Sequence, residues 1–405
     1  MVINGIWNGQ RLSLSDKPNC LTVSLESEQG TRVYSFDLSG RLWTALMEGV
    51  AYRRGLDGKI VAKYSLPDGS RDRKWLTRSE AASVEEEARR LSDSLAAGIF
   101  RDELDITQPP SDRMVSVLGR AGLFTPARIQ EDISHYHLAY QPVGILPPDQ
   151  YMAVVLQLTE GCSFNTCTFC NFYRERRFRI KPLDEFKLHI DGVKDLLADG
   201  LSLRRTIFLG DANALVTPMS RLVPLVEAVH AGFDVEAMGG LYAFLDGFSG
   251  EKKTAADYRL LADAGMKRIY LGMESGSPEL LQFLKKPGQP EDVVQAVRAM
   301  KKGGIPVGII VLLGAGGKQF AAEHVRRSVE ILNALDLDAD DLLYFSELVE
   351  SEGLEYTQAA YDASLQPLTA EERVKQGEEI AGQLKFLPSR GIPHISRYDI
   401  REFVY

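Results

Sequence analysis

Cysteine is scarce in this 405-residue sequence, and it is unevenly spread. There are four, and three of them, Cys162, Cys167 and Cys170, fall in one stretch, LTEGCSFNTCTFCNFYRERRFR (158–179). Cys20 stands alone far upstream. That split excludes a disulfide framework and leads us to expect a reducing, cytoplasmic setting. Positive charge is also short: 47 Lys and Arg against 56 Asp and Glu give a net charge of −9. General binding to nucleic acid or an anionic membrane rests on Lys and Arg, so neither is expected as a partner. Long apolar runs are missing too. AVVLQL and VGIIVLLGAG have the length of buried strands, not of membrane spans. The opening MVINGIWNGQ has neither the basic nor the apolar region of a secretory leader.

What is present divides the chain into three parts. Residues 1–150 read as an α+β accessory region. CLTVSLE and TRVYSFDL alternate polar and apolar residues as antiparallel strands do, and SGRLWTALMEGVAYRRGLDG reads as a helix stopped by glycine. Thr77 lies three residues before Glu80, the spacing of a capping box, and predicts a helix running to Gly98. From residue 151 to 350 strand and helix patterns alternate. The expected strands are 153–158, 205–210, 233–238, 267–272, 306–313 and 340–346. Helical patterns separate them, several closed by glycine. Six βα units in succession imply a parallel sheet with right-handed crossovers, and here a partial (β/α)6 TIM-like barrel. Ligands then belong at the C-terminal ends of the strands. Residues 351–405 read as a helix and tail, a short helical extension.

Cys162 lies just past the first of these strands, where chemistry is expected. Three thiolates in nine residues can wrap a metal centre. A closed zinc site needs a fourth ligand, and the nearest histidines, His137 and His189, are not at ligand spacing. A [4Fe–4S] cluster usually takes four thiolates, so three would leave one iron open to a substrate or cofactor.

A three-cysteine loop after the first strand of a six-unit βα barrel resembles the radical SAM (S-adenosylmethionine) superfamily. The usual loop there has three residues between the first two cysteines, and this one has four. Three further segments carry the resemblance. FLGDANAL (208–215) ends the second strand, where the superfamily binds the amino group of SAM, though without the usual Gly-Gly-Glu. YLGMESGSPELLQFLKK (270–286) ends the fourth and resembles the G-x-E-S-G segment of the oxygen-independent coproporphyrinogen oxidases and the elongator- and methylthiotransferase-like groups. GIPVGIIVLLGAGG (304–317) resembles the fifth-strand adenine-binding segment.

The resemblance implies an oxygen-sensitive enzyme whose [4Fe–4S] cluster is held by Cys162, Cys167 and Cys170. It implies reductive cleavage of SAM to a 5′-deoxyadenosyl radical, hydrogen abstraction from a small-molecule substrate, and a flavodoxin- or ferredoxin-like electron donor. Phe169 would border the adenine. Asp211 or Asn213 would hold the SAM ammonium, and Glu274 with Ser275 the ribose hydroxyls or amino group. Gly314, with Gly316 and Gly317, would admit the adenine close to the backbone. In the basic run RERRFRIK (174–181), Arg179 is the candidate for the SAM carboxylate. The bland alternatives are a turn for Asp211 and Asn213, a flexible loop for the glycines and a solvated surface for the arginines. The C-terminal SRYDIREFVY offers an aromatic residue that would tuck over the open barrel. A non-catalytic iron–sulfur or zinc-binding redox protein is the alternative function. It predicts a metal centre without SAM affinity.

Overall fold

The computed structural model describes every residue except 29, 251, 351 and 352. The chain forms two compact units: Met1–Pro142 with His189–Arg205 and Arg401–Tyr405, and Val143–Leu188 with Thr206–Ile400.

The first unit begins with eight strands: β1 (Val2–Trp7), β2 (Gln10–Asp16), β3 (Cys20–Ser27), β4 (Gly30–Asp37), β5 (Leu42–Met47), β6 (Val50–Arg54), β7 (Ile60–Ser65) and β8 (Arg71–Trp75). They pair as a sequential antiparallel meander, and the short β9 (Asp105–Ile106) adds beside β1. The period-2 pattern puts Leu21, Val23 and Leu25 of β3 in the core. The helices α1 (Arg78–Phe100) and α2 (Asp112–Gly122) contribute Val84, Ala88, Leu95, Met114 and Leu118 to the same core. α3 (Pro126–Ala139) completes this run of helices. Thr77 and Glu80 form the expected capping box.

One element differs from the expectation. The segment around 40–58 is the hairpin β5–β6 and not a helix, with Met47 opposite Val50. Its two-residue turn, Glu48-Gly49, has φ of 50° and 77°. Two left-handed residues in succession match the twist of a tight hairpin and reverse the chain before a helix can propagate.

The second unit is built on β10 (Ala153–Gln157), followed by the two-residue strands β11 (Thr159–Glu160) and β12 (Arg179–Ile180) and by the start of α4 (Leu183–Leu197), whose residues from His189 on belong to the first unit. Next come β13 (Thr206–Gly210), α5 (Met219–Gly232), β14 (Leu241–Phe244), α6 (Gly247–Gly250), α7 (Ala255–Asp263) and β15 (Met266–Glu274). α8 (Pro278–Phe283), α9 (Pro290–Lys302), β16 (Val307–Leu313), α10 (Gly317–Asn333) and β17 (Leu342–Glu347) follow. The chain continues through α11 (Glu355–Asp362), α12 (Ala370–Gly382) and β18 (His394–Tyr398). The sheet order is β10-β13-β14-β15-β16-β17-β18, parallel throughout, as a partial (β/α) barrel requires. β10 and β16 are buried along their whole length, which is why they read as unbroken apolar runs.

Two strands depart from the sequence reading. The third is LYAF (241–244), not FDVEAM (233–238). Residues 235–239 are turns instead: Ala237 N donates to Asp234 Oδ1 (3.0 Å), Met238 N to Asp234 O (3.0 Å) and Gly239 N to Glu236 O (2.9 Å). Gly239 and Gly240 both have positive φ. A side-chain acceptor at Asp234 gives the backbone an alternative to the ladder. The second departure is β18, a seventh parallel strand drawn from the C-terminal tail. Among the described residues no helix is long and apolar enough to cross a membrane.

Candidate functional site

The strand ends of the second unit converge on one cavity of about 210 Å³. Its wall holds all three clustered cysteines. The same cavity is lined by Asn213 after β13, Asp246 after β14, Glu274 at the end of β15, Ser346 on β17 and Tyr398 on β18. This is the rim at which parallel βα sheets place ligands.

The cysteine loop is fixed by its own backbone. Asn165 lies between the first two cysteines, where the loop has four residues. It adopts the left-handed conformation (φ 52°), and its Nδ2 donates to Tyr173 O (2.6 Å). Arg174 caps three loop carbonyls with one guanidinium: Asn165 O (2.8 Å), Cys167 O (2.7 Å) and Cys170 O (3.2 Å). Phe164, beside Asn165, meets Phe248 edge-to-face with ring centroids 4.4 Å apart, and both rings line the cavity. Thr168 N donates to Leu284 O (2.9 Å) and Thr166 Oγ1 to Lys285 O (3.1 Å), which ties the loop to the segment leading to Lys286.

All four cysteines are free thiols. Burial pushes the Cys170 thiol up to about 11 and raises Cys167 as well, so a metal must displace their protons. Among the described residues no three Cys, His, Asp or Glu side chains gather around a single point as one metal ion requires. In a cluster each iron takes its own thiolate, so the sulfurs need not meet at one point. Three soft sulfur donors sharing one cavity wall, with no histidine on it, therefore fit an iron–sulfur cluster.

Glu274 has φ 59° and its Oε1 lies 3.2 Å from Lys286 Nζ. Burial works to lower the Lys286 pKa, but the charges of Glu274 and Cys167 outweigh it, so the ammonium stays charged. Gly272 makes room for this pair. A Cβ built there would sit 2.2 Å from Glu274 Oε1 and 3.2 Å from Lys286 Nζ. The glycine two residues before the glutamate is thus explained by the folded-back carboxylate. Lys286 was missed by sequence reasoning, as were Asp246 and Tyr398. The signal for Lys286 was its position twelve residues after Glu274, across one short helix.

The remaining sequence candidates divide. Phe169 lines the cavity and packs against the cluster containing Leu280, Leu284 and Leu312. Asn213 lines it too, with Nδ2 donating to Ser163 Oγ (2.8 Å) and to Asp246, and Oδ1 accepting from Asp246 N (3.2 Å). Asp211, Ser275, Gly314 and Arg179 are not on the cavity wall. Asp211 is buried beneath the loop. Its oxygens accept from Gln157 Nε2 (2.7 Å), Gly161 N (2.9 Å) and Arg176 Nη1 (3.3 Å), so it anchors the start of the cysteine loop. Burial raises its pKa against those partners. Ser275 is fully buried and bonded to His324 Nδ1 at 2.7 Å. Gly314 has φ 84° and donates its N–H to Gln376 Oε1 (2.9 Å), with the Arg373 chain beneath it. Arg179 is exposed and paired with Glu160 (2.6 Å) and Glu185 (2.5 Å), consistent with a solvated surface. Tyr405 meets Tyr140 within the first unit (OH to OH 3.1 Å), so the C-terminal aromatic residue on the cavity is Tyr398 instead.

Residues 156–327 match the Radical SAM superfamily, and the chain carries a domain of that superfamily, which uses a [4Fe–4S] cluster and SAM. Among curated relatives, it is 25% identical over 204 residues to the uncharacterized methyltransferase PH0819 of Pyrococcus horikoshii, covering 48% of this chain and 40% of that protein. It is 22% identical over 193 residues to the heme chaperone HemW of Bacillus subtilis, covering 47% and 49%. The chain thus spans less than half the length of either relative. Among solved structures it is similar to coproporphyrinogen III oxidase (HemN) from Escherichia coli (TM-score 0.43, 13% identity, 62% of this chain and 54% of that one). It is also similar to methylornithine synthase PylB (TM-score 0.40, 17% identity, 60% and 63%).

Proposed function

We propose that this protein is a radical SAM enzyme acting on a small-molecule substrate. The observation that carries the reading is the sharing of one cavity wall, at the C-terminal rim of the parallel sheet, by Cys162, Cys167, Cys170 and the Glu274–Lys286 pair. The three cysteines would hold the [4Fe–4S] cluster. Together the cluster and SAM supply reductive cleavage to a 5′-deoxyadenosyl radical, which abstracts hydrogen from the substrate.

The chain's own residues supply position and exclusion. Glu274 offers a carboxylate acceptor to the ribose hydroxyls or amino group of SAM, and Lys286 pairs with that carboxylate from the same wall. Asn213 takes the ammonium contact with Asp246, which it already orients. Asp211 is withdrawn from that role because it lies beneath the loop and off the cavity wall. Phe169 borders the adenine. Phe164 and Phe248 shed water from the opening, and Leu348, Val349, Tyr398 and Ile400 leave a largely apolar wall for substrate. A flavodoxin- or ferredoxin-like protein supplies the electron.

The test is product formation by the anaerobically reconstituted chain with SAM and dithionite. We expect 5′-deoxyadenosine by chromatography, formed slowly without substrate. A protein that carries a full cluster and forms none would be the electron-transfer protein of the alternative reading.

A further inference from the structure

We propose that His324 of α10 is a positioning residue that holds Glu274 in its ligand-facing conformation, an inference resting on the reading of Glu274 as a SAM contact. The two residues lie fifty positions apart in the sequence. Between them runs the turn Ser275-Gly276-Ser277.

The turn needs an external hold. Glu274 is a non-glycine residue with φ 59°, a conformation L-residues adopt only when the surroundings impose it. Its own backbone supplies one close bond, Ser275 N to Met273 O at 2.7 Å. Glu274 also pairs with Val311 of β16, and the side chains of α10 hold the turn that follows it. His324 Nδ1 and Ser275 Oγ are 2.7 Å apart. Ser275 Oγ in turn accepts from Ser277 N (3.0 Å), which closes the turn. One helical turn further on, Ser328 Oγ accepts from Gly276 N (3.0 Å) and lies 3.3 Å from the same Nδ1. Ser275, Ser277, His324 and Ser328 have no exposed surface. The backbones are in contact as well: a Cβ on Gly276 would lie 2.3 Å from Arg327 O. Water cannot replace any of these bonds, so a lost partner leaves a buried polar group unpaired.

Burial pushes the His324 pKa down to about 4, and the ring is a neutral hydrogen-bonding group at working pH. It therefore acts by geometry and not by charge. A displacement of Ser275 is transmitted directly to the adjoining residue, whose carboxylate must meet both Lys286 and the ligand.

The test is SAM affinity, by equilibrium dialysis, of the anaerobically reconstituted protein, with iron content and melting temperature measured alongside. His324→Leu fills the space but removes the δ-nitrogen. We expect SAM binding to weaken about tenfold with iron content unchanged, since misplacing one oriented contact costs about that factor. His324→Asn puts a polar atom at the place of Nδ1. It lowers the melting temperature through lost volume yet returns affinity to within about twofold of the wild type. A merely structural role would give the reverse order, with Asn worse than Leu on both counts. Glu274→Gln is the control for the underlying reading. Weakened binding in Glu274→Gln beside wild-type affinity in His324→Leu overturns the positioning role. Wild-type affinity in Glu274→Gln overturns the reading of Glu274, and the positioning role with it. If His324→Leu does not load iron, Ser275→Ala carries the same test, and wild-type affinity there overturns the proposal.

Discussion

Cys167→Ala leaves the reconstituted protein without its cluster: iron falls to background, the brown colour is lost and no 5′-deoxyadenosine forms. Each of the three cysteines is expected to behave alike, because a three-thiolate site has no spare ligand. The fourth cysteine of the chain, Cys20, is buried in the β3 strand of the other unit. The cavity wall offers no histidine as a substitute. Cys20→Ser is the matched control, and it should keep full iron and activity. The loss in Cys167→Ala is chemical and not a collapse of the loop. Cys167 O and Cys170 O are held by Arg174 through main-chain acceptors, which the substitution leaves in place. Iron determination with circular dichroism separates the two cases. An unfolded variant would show loss of both signals, and the account expects loss of iron alone.

Gly272→Ala is the second large effect, expected at the glycine that opens the G-x-E-S-G segment and lines the cavity wall. The new methyl would overlap Glu274 Oε1 at 2.2 Å and crowd Lys286 Nζ at 3.2 Å. The carboxylate must swing away, and the partly buried ammonium loses its partner. Removing one member of a fully buried pair costs about 3–5 kcal/mol, and this pair, displaced and partly exposed, loses less than that. SAM affinity should fall at least tenfold, with the melting temperature reduced. Gly308→Ala distinguishes this from general overpacking. Its Cβ would meet the Tyr270 ring at 2.4 Å, a comparable clash on the neighbouring strand, but it reaches neither Glu274 nor Lys286. Gly308→Ala should lose stability while SAM affinity changes far less. Equal losses of affinity in the two variants would contradict the role given to Gly272.

Much of the second unit could be read in advance because its central strands are buried on both faces. Runs such as VGIIVLL admit few other interpretations at that length. The capping box at Thr77 was equally legible, since it is a local contact between residues three apart. The misreadings share a cause. Whether Leu42–Arg54 became helix or hairpin was decided by two left-handed residues at 48 and 49, one of them a glutamate with no turn signature. The third strand was misplaced because Asp234 could cap a turn as well as precede a strand. At the site, the cysteines declared themselves by spacing, whereas Asp211 and Asn213 could not be told apart. Both follow the same strand. Only the folded loop decides that Gly161 N and Arg176 occupy one carboxylate while the other side chain lines the cavity. Lys286 lies only twelve residues beyond Glu274, but His324 acts across the fold, and no local pattern announces a contact between a strand end and a helix fifty residues later.

The most direct test of the central claim is the low-temperature electron paramagnetic resonance spectrum of the anaerobically reconstituted, reduced protein, recorded with and without SAM. A cluster held by Cys162, Cys167 and Cys170 with one open iron gives a [4Fe–4S]⁺ signal whose g-values shift when SAM is added. A signal that is identical in both spectra, or no iron at all in a folded protein loaded with zinc, would contradict the account.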